Sequence, residues 1–457
     1  MLKKLKIRNF KSWVNTEEIH FSKITGFFGT NSSGKTSLLQ FLLLLKQSAE
    51  SSDRNSVLFF GDERTEVSLG TFKDVIFKHD TNQKLSFDLN WDLIKSLKID
   101  DISERNKILF EGNNINLELE IGQEKDNIEV QNMIYSFANH KFQLQQKSNK
   151  KYSLTVEKID KKTVASSFKA IRTQGRGWEL PEPIKYYGFP EQIKTYYQNI
   201  GFLADLQLEV EKLFSRVYYL GPLRDYPKRD YTWAGANKQA IGSKGEYVIE
   251  ALLSSRNAKT QIKISPRKKL TVEEYVAHWL KELELIHDFK VEELAEGSNR
   301  YQVKVRKTPE SSEVLITDVG FGVSQILPVI TLCYYAPEHS ILIMEQPEIH
   351  LHPKVQAGLA DVFIDAVQKR NIQIVIESHS EHLLTRMQRR IAEEKVSNED
   401  IKLYFCQSVN GHSELESLNI DLFGNITNWP NNFFGNEMEE KFAIAEATFK
   451  RSTNGTN

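Results

Sequence analysis

Apolar and polar residues alternate from the start of the chain, where Leu5-Lys6-Ile7-Arg8-Asn9-Phe10 predicts a half-buried strand. Ile24-Thr25-Gly26-Phe27-Phe28-Gly29 is apolar and β-prone, and it runs directly into a Gly/Ser/Asn loop. Lys35 to Leu42 then begins a helix that is apolar almost all round, as a buried helix is. Short β-like runs follow at Ser56–Phe60, Leu85–Leu89 and Ile115–Ile121, the last with the clearest alternation. Residues 136–215 are more polar and read as an inserted subdomain. They hold no sustained heptad, so no coiled-coil arm is expected. Val272, Tyr275, Val276, Trp279, Leu280 and Leu283 recur at helical spacing, which predicts an amphipathic helix over Thr271–Ile286. From Tyr301 to Phe405 the pattern is strand–helix–strand–helix–strand. Ile341–Met344 and Ile372–Ile376 are nearly continuous apolar runs, the mark of a parallel sheet buried on both faces. The whole predicts an α/β core assembled from both ends of the chain, with the middle inserted.

Composition narrows this picture. The chain has 457 residues, material for about three domains at ~150 residues each. We expect four segments: 1–90, a first lobe with the Gly-rich loop; 91–215, its β-rich continuation and a basic insertion; 216–410, a second lobe; and 411–457, a small tail. Residues 451–457 are expected to fray. Apolar residues at 40% and charged residues at 26% exclude a disordered chain. The longest apolar run near the N-terminus, Phe41–Leu45, is too short to cross a bilayer, and Met1–Lys6 alternates where a leader would be apolar. A cytoplasmic protein without membrane contact is the expectation. Cys333 and Cys406 lie in apolar runs and read as buried thiols.

Net charge is −1, so the whole chain makes no electrostatic claim on DNA. Locally the charge is uneven: residues 141–176 carry ten Lys/Arg against Glu157 and Asp160. Phe142, Tyr152, Phe168 and Trp178 interleave with them, a pattern that can bind nucleic acid. The plainer reading of Lys141–Arg176 is a solvated hairpin or helix face.

Gly29-Thr30-Asn31-Ser32-Ser33-Gly34-Lys35-Thr36 fits G-x-x-x-x-G-K-[ST] between a predicted strand and a predicted helix. Small residues let backbone N–H groups curl round a phosphate. Lys35 supplies a point charge, the Thr36 hydroxyl ligates Mg²⁺, and the helix offers its N-terminal amides. Ile341–Met344 ends in Glu345, a carboxylate placed to hold Mg²⁺ or its water. Gln346-Pro347-Glu348-Ile349-His350-Leu351-His352-Pro353 follows. A second apolar strand ends in Glu377-Ser378-His379-Ser380-Glu381, where His379 can contact a γ-phosphate. A rival reading makes His350, His352, His379 and two glutamates a metal site. A third makes His350 and His352 structural.

Together the Gly-rich loop, Ile341–Pro353 (ILIMEQPEIHLHP) and Val375–Glu381 (VIESHSE) resemble the ABC-type ATPases of the SMC/RecF/OLD branch, often labelled AAA-family ATPases. Ile7–Ser12 is similar to that branch's first strand, and Tyr219-Leu220-Gly221-Pro222-Leu223-Arg224 to the motif opening its second lobe. Asn428–Phe434 resembles a small tail domain of one subgroup. The resemblance covers about residues 1–80 and 215–440. It implies a two-lobed ABC-type P-loop ATPase head with a β-rich first lobe and an inserted middle subdomain. It also implies ATP and Mg²⁺ as ligands, with Asn31, Ser32, Ser33, Gly34, Lys35, Thr36 and Ser37 around the phosphates and Thr36 and Glu345 on the metal.

In this family ATP is sandwiched between two heads, so a homodimer or higher homo-oligomer is implied. The stretch that would cap a neighbour's nucleotide is Asp318–Gln325, with Gly320, Gly322 and Gln325 at the motif positions. Gly320 stands where the family usually has Ser. Gln346 stands where it usually has a second acid, and an amide cannot take a proton. Glu348 can act instead, and slow hydrolysis is implied. OLD-type relatives carry a nuclease domain after the ATPase, and only about 50 residues follow Cys406 here. A nuclease effector is therefore expected on a separate chain, as in two-gene bacterial antiphage systems such as Septu. The alternative is a RecF-like DNA-binding ATPase in DNA repair or maintenance, without an effector chain.

Overall fold

The computed structural model describes residues 1–430, apart from 102–106, 126, 149, 161–167, 176–178, 237–239 and 266, together with residue 446. One antiparallel sheet is built from β1 (Leu2–Phe10), β2 (Trp13–Asn15), β3 (Ile19–His20), β5 (Leu85–Asp100), β6 (Ile108–Glu124), β7 (Asn127–Phe137), β8 (His140–Ser148) and β9 (Lys151–Lys158). The basic stretch thus contributes the last two strands of this sheet. Phe142 and Tyr152 point into its core, 0% and 3% exposed, so neither offers a ring to a nucleic-acid base. Lys141, Lys150 and Lys151 pair with Glu118, Glu182 and Glu179. Lys161, Lys162, Arg176 and Trp178 lie outside the described residues.

A second sheet joins β4 (Ile24–Gly29), β10 (Val217–Leu220), β17 (Ile341–Glu345), β18 (Gln373–Glu377), β19 (Ile401–Val409) and β20 (His412–Leu418) in the order β10-β17-β18-β4-β19-β20. All pairings are parallel except β19 with β20. Both ends of the chain therefore meet here, as the apolar runs predict. The period-2 rule divides each strand between two cores. Ile341, Ile343 and Val375 face the first, with the antiparallel sheet. Leu342, Met344, Ile374 and Ile376 face the second.

Helix α1 (Lys35–Glu50) packs Phe41 to Leu45 into the first core beside α4 (Leu203–Phe214). Single turns occur at α2 (Phe72–Val75) and α3 (Ile193–Tyr196). The second core is covered by α5 (Val248–Asn257), α6 (Val272–Glu282), α7 (Phe321–Tyr335), α8 (Pro353–Arg370) and α9 (Glu381–Ala392). The helix expected over Thr271–Ile286 is α6. Thr271 is its N-cap, accepting from the Glu274 N–H at 3.2 Å, while the Glu274 carboxylate accepts from the Thr271 N–H at 2.7 Å. A small sheet of β11 (Tyr231–Thr232), β14 (Asp288–Glu293), β15 (Arg300–Arg306) and β16 (Val314–Leu315), and the hairpin β12 (Gln261–Ser265)–β13 (Lys268–Thr271), complete the second half.

Ser56–Phe60 is not a strand. Its main chain is held by side chains of α1 instead: the Phe59 N–H donates to the Ser48 hydroxyl at 2.8 Å, and Gln47 donates to the Phe59 carbonyl at 2.7 Å. Cys333 and Cys406 are free and buried, as expected. Among the described residues no helix is long and apolar enough to cross a membrane.

Candidate functional site: the carboxyl ends of the parallel strands

The Gly-rich loop leaves β4 at the centre of the parallel sheet. All six residues of β4 are buried, and the strand ends at Gly29 with φ +138°. Gly34 is the N-cap of α1 with φ +89°, and no side chain caps the helix. The first amides of α1 are therefore left for an anion. Trp13 Nε1 donates to the Gly34 carbonyl at 3.0 Å and pins the turn. Lys35 is 3% exposed, and its Nζ curls back to the Gly29 and Thr30 carbonyls at 3.0 and 2.6 Å. Burial pulls its pKa down, and the neighbouring carboxylates of Glu377 and Glu348 oppose that. Ser33 is buried beside the Lys35 amine, with Oγ at 3.4 Å. Asn31 and Ser32 lie exposed on the loop, and Ser37 opens the helix with its N–H on the Gly34 carbonyl.

The acids converge from the two neighbouring strands. Glu345 and Glu377 end β17 and β18 in direct register. Glu345 accepts from the Tyr219 hydroxyl at 2.9 Å. Burial first, and then the charge of Glu377, push its carboxyl up to about 7. Glu377 accepts from the Thr36 hydroxyl at 2.9 Å through Oε1, while its Oε2 is buried without a partner. Glu348 is also buried. Its Oε1 accepts from the His379 N–H at 2.8 Å and its Oε2 has no partner. Burial raises the pKa of both Glu348 and Glu377 and lowers that of His379, where Lys35 adds to the effect. Gln346 takes φ +42° and donates its N–H to the Glu377 carbonyl at 2.9 Å.

Lys35, Thr36, Glu345, Glu348 and His379 are thus brought to one place. Three further residues belong with them. Glu377 is one. Arg224 is 8% exposed, donates weakly to the Glu345 carbonyl at 3.4 Å, and leaves Nε and Nη1 without partners. Tyr219 is the third. Glu377 had the same signal as Glu345, a carboxylate ending an apolar strand. Arg224 and Tyr219 lie in the motif opening the second lobe, but nothing local shows where that loop folds.

Gly320, Gly322 and Gln325 open α7. Gly320 is its N-cap at φ −57°, and a Cβ there would meet nothing within 4 Å. A Cβ on Gly322 would meet only Leu351, at 4.0 Å. Gln325 is buried with Nε2 unpartnered. His352 caps α8, its Nδ1 accepting from the Lys354 N–H at 3.3 Å, which is a structural task. Among the described residues no group of three or more His, Cys, Asp or Glu is placed to hold a metal ion, so the histidine-rich metal site is not formed.

A family model described as AAA ATPase domain matches residues 1–384. The chain belongs to that family. It is a nucleotide-binding ATPase, and the Gly-rich loop after β4 has the residue spacing of a P-loop. A second model, for proteins of unknown function (DUF3696), matches residues 396–444. No curated protein matches the chain. Among solved structures, an SMC head bound to the C-winged helix domain of ScpA aligns at 10% identity over 92% of this chain and 98% of that one, with TM-score 0.45. The SMC head domain from Thermotoga maritima aligns at 12% identity over 92% and 99%, with TM-score 0.38. An Smc head with an extended coiled coil, bound to the C-terminal domain of ScpA derived from Pyrococcus furiosus, aligns at 10% identity over 98% and 99%, with TM-score 0.43.

The raised Glu345 carboxyl has a measurable consequence. An acid held neutral to higher pH by the fold supports the fold fully below its unfolded pKa. That support is lost as pH rises through the folded value, about 7 here. In metal-free buffer Glu345→Gln should melt above the parent at about pH 8, with the gain shrinking towards about pH 5. A gain independent of pH would contradict this.

Proposed function

We propose that this ATPase is an ATP-controlled switch. Two copies close head to head on ATP, with Lys35 of one head and Gly320, Gly322 and Gln325 of the other facing the same nucleotide. The observation that carries the ATP reading is the P-loop opening on an uncapped α1, with Lys35 and three buried carboxylates at the same point. Buried Glu377 Oε2 and Glu348 Oε2 have no partner, and Arg224 has two idle donors. Buried polar groups of this kind are ordinarily satisfied, and a metal–phosphate ligand supplies both signs of charge. Mg²⁺ fits the donor set of Thr36 with a neighbouring carboxylate, and when bound it neutralises charge on the β- and γ-phosphates.

The chain's own groups then divide the work. Lys35 binds phosphate oxygens. His379, beside Lys35, reads the γ-phosphate. Gln346 orients the attacking water but accepts no proton. Glu348 is the buried carboxylate able to take one. Hydrolysis is accordingly slow and the closed dimer long-lived. The closed form restrains or releases a separate effector, a nuclease in bacterial antiphage defence. The resemblance of the motifs to stand-alone ATPase subunits supports this last step. The buried Phe142 and Tyr152, and the acids that neutralise Lys141, Lys150 and Lys151, count against DNA binding on this face by base stacking.

The test is steady-state phosphate release with Mg-ATP, with Lys35→Ala as the blank. Slow turnover in the parent, a faster Gln346→Glu and an inactive Glu348→Gln are expected. A Glu348→Gln variant as fast as the parent removes Glu348 from the reaction. For the effector, a partner chain that copurifies with the parent and leaves on ATP addition is expected. ATPase stimulated by DNA alone would instead favour the RecF-like reading.

A further inference from the structure

We infer that Arg224 is a second phosphate-binding cation of the site, which holds the terminal phosphate of ATP and has nothing to hold in ADP. The inference rests on reading the P-loop as the nucleotide site. The state of the side chain is the first reason. Arg224 is 8% exposed. Its Nη2 makes one long contact, to the Glu345 carbonyl at 3.4 Å, and Nε and Nη1 have no partner. Burial pulls its pKa down to about 10, against the carboxylates of Glu345 and Glu348, so it stays charged at neutral pH. A buried charge without hydrogen bonds is costly. A planar guanidinium with free donors suits phosphate oxygens, and an anion arriving from solvent removes that cost. The acids nearby do not serve. The Tyr219 hydroxyl donates to Glu345 at 2.9 Å, and Glu348 accepts the His379 N–H at 2.8 Å while its other oxygen stays idle.

Position is the second reason. β10 runs in register with β17, Leu220 beside Met344, so the loop that follows leaves the sheet next to Glu345. In the order β10-β17-β18-β4 this loop and the P-loop stand on opposite sides of Glu345 and Glu377. Glu348 is a charged neighbour of both Lys35 and Arg224. Phosphates that start at Lys35 and the amides of α1 run over the acids towards Arg224, and the outermost of three comes nearest to it. The loop also keeps its shape without this side chain. The Gly221 N–H donates to the Ser243 carbonyl at 2.8 Å and the Asp225 N–H to the Lys244 carbonyl at 2.9 Å, which ties down the backbone on both sides of Arg224.

The experiment measures the affinities of a fluorescent, non-hydrolysable ATP analogue and of the matching ADP, both with Mg²⁺, for the parent and for Arg224→Gln. The readout is the ratio of the two affinities, which needs no turnover and is not moved by a purely structural role. Arg224→Gln should lower the ATP affinity about tenfold or more, the scale of a hydrogen bond to a charged group, and leave the ADP affinity within about twofold. A ratio that does not fall, whether both affinities drop together or neither does, overturns the assignment. If Arg224→Gln does not fold, Arg224→Lys keeps the charge without the fork of donors and should lose several-fold in ATP affinity alone. A parent-like ratio there also overturns it. A parent that binds neither analogue defeats the nucleotide reading of the P-loop itself, an outcome distinct from an unchanged ratio.

Discussion

Lys35→Ala should abolish phosphate release and nucleotide-dependent closure while leaving the fold in place. Lys35 Nζ is bound by two carbonyls of its own loop, at 3.0 and 2.6 Å, so the loop already has the curvature that surrounds a phosphate. The amine is also desolvated, which makes its charge worth more to an anion than it would be in water. Removing one such preorganised group ordinarily costs about 10²–10³ in rate. Stability should change little by comparison, because the variant gives up a buried charge along with that charge's three hydrogen bonds. Phosphate release and a thermal melt, measured side by side, separate the two effects. A variant that turns over within a few-fold of the parent would mean that the P-loop is not where ATP is held.

Gly29→Ala should have the largest effect on folding. Its φ of +138° is a conformation that L side chains rarely adopt. A Cβ there would stand 2.0 Å from the Cys406 carbonyl oxygen and 2.9 Å from its carbon. Those are backbone atoms of β19, the neighbouring central strand, and they cannot turn aside. Strain and overpacking together should cost about 3 kcal/mol or more. Gly320→Ala is the contrast, with ordinary φ and nothing within 4 Å of the new methyl. Urea denaturation of the two variants should show a large drop in midpoint for the first and almost none for the second. A small drop for Gly29→Ala would mean that β4 and β19 are not packed this closely.

What could be read from the sequence follows from what is local. Ile341–Met344 and Ile372–Ile376 announce a sheet buried on both faces because every position but Gln373 is apolar, and each strand ends in a carboxylate. The P-loop is visible because its glycines, lysine and threonine are contiguous. Pairings made by the fold were hidden. Thr36 and Glu377 lie 341 residues apart, and only the strand order puts β18 next to β4. The charge of 141–176 is plain in the sequence, but the acids that match Lys150 and Lys151 come from Glu182 and Glu179, outside the window. Ser56–Phe60 has a strand's apolar content, yet its backbone partners are the side chains of Ser48 and Gln47. Composition alone does not reveal such partners.

The claim that ATP closes two heads is most directly tested by molar mass in solution. Light scattering of the purified chain without nucleotide should give 52.8 kDa. With saturating Mg-ATP it should give twice that mass, and Lys35→Ala should stay at the lower value. A parent that binds ATP to saturation and still scatters as a single chain would contradict the account.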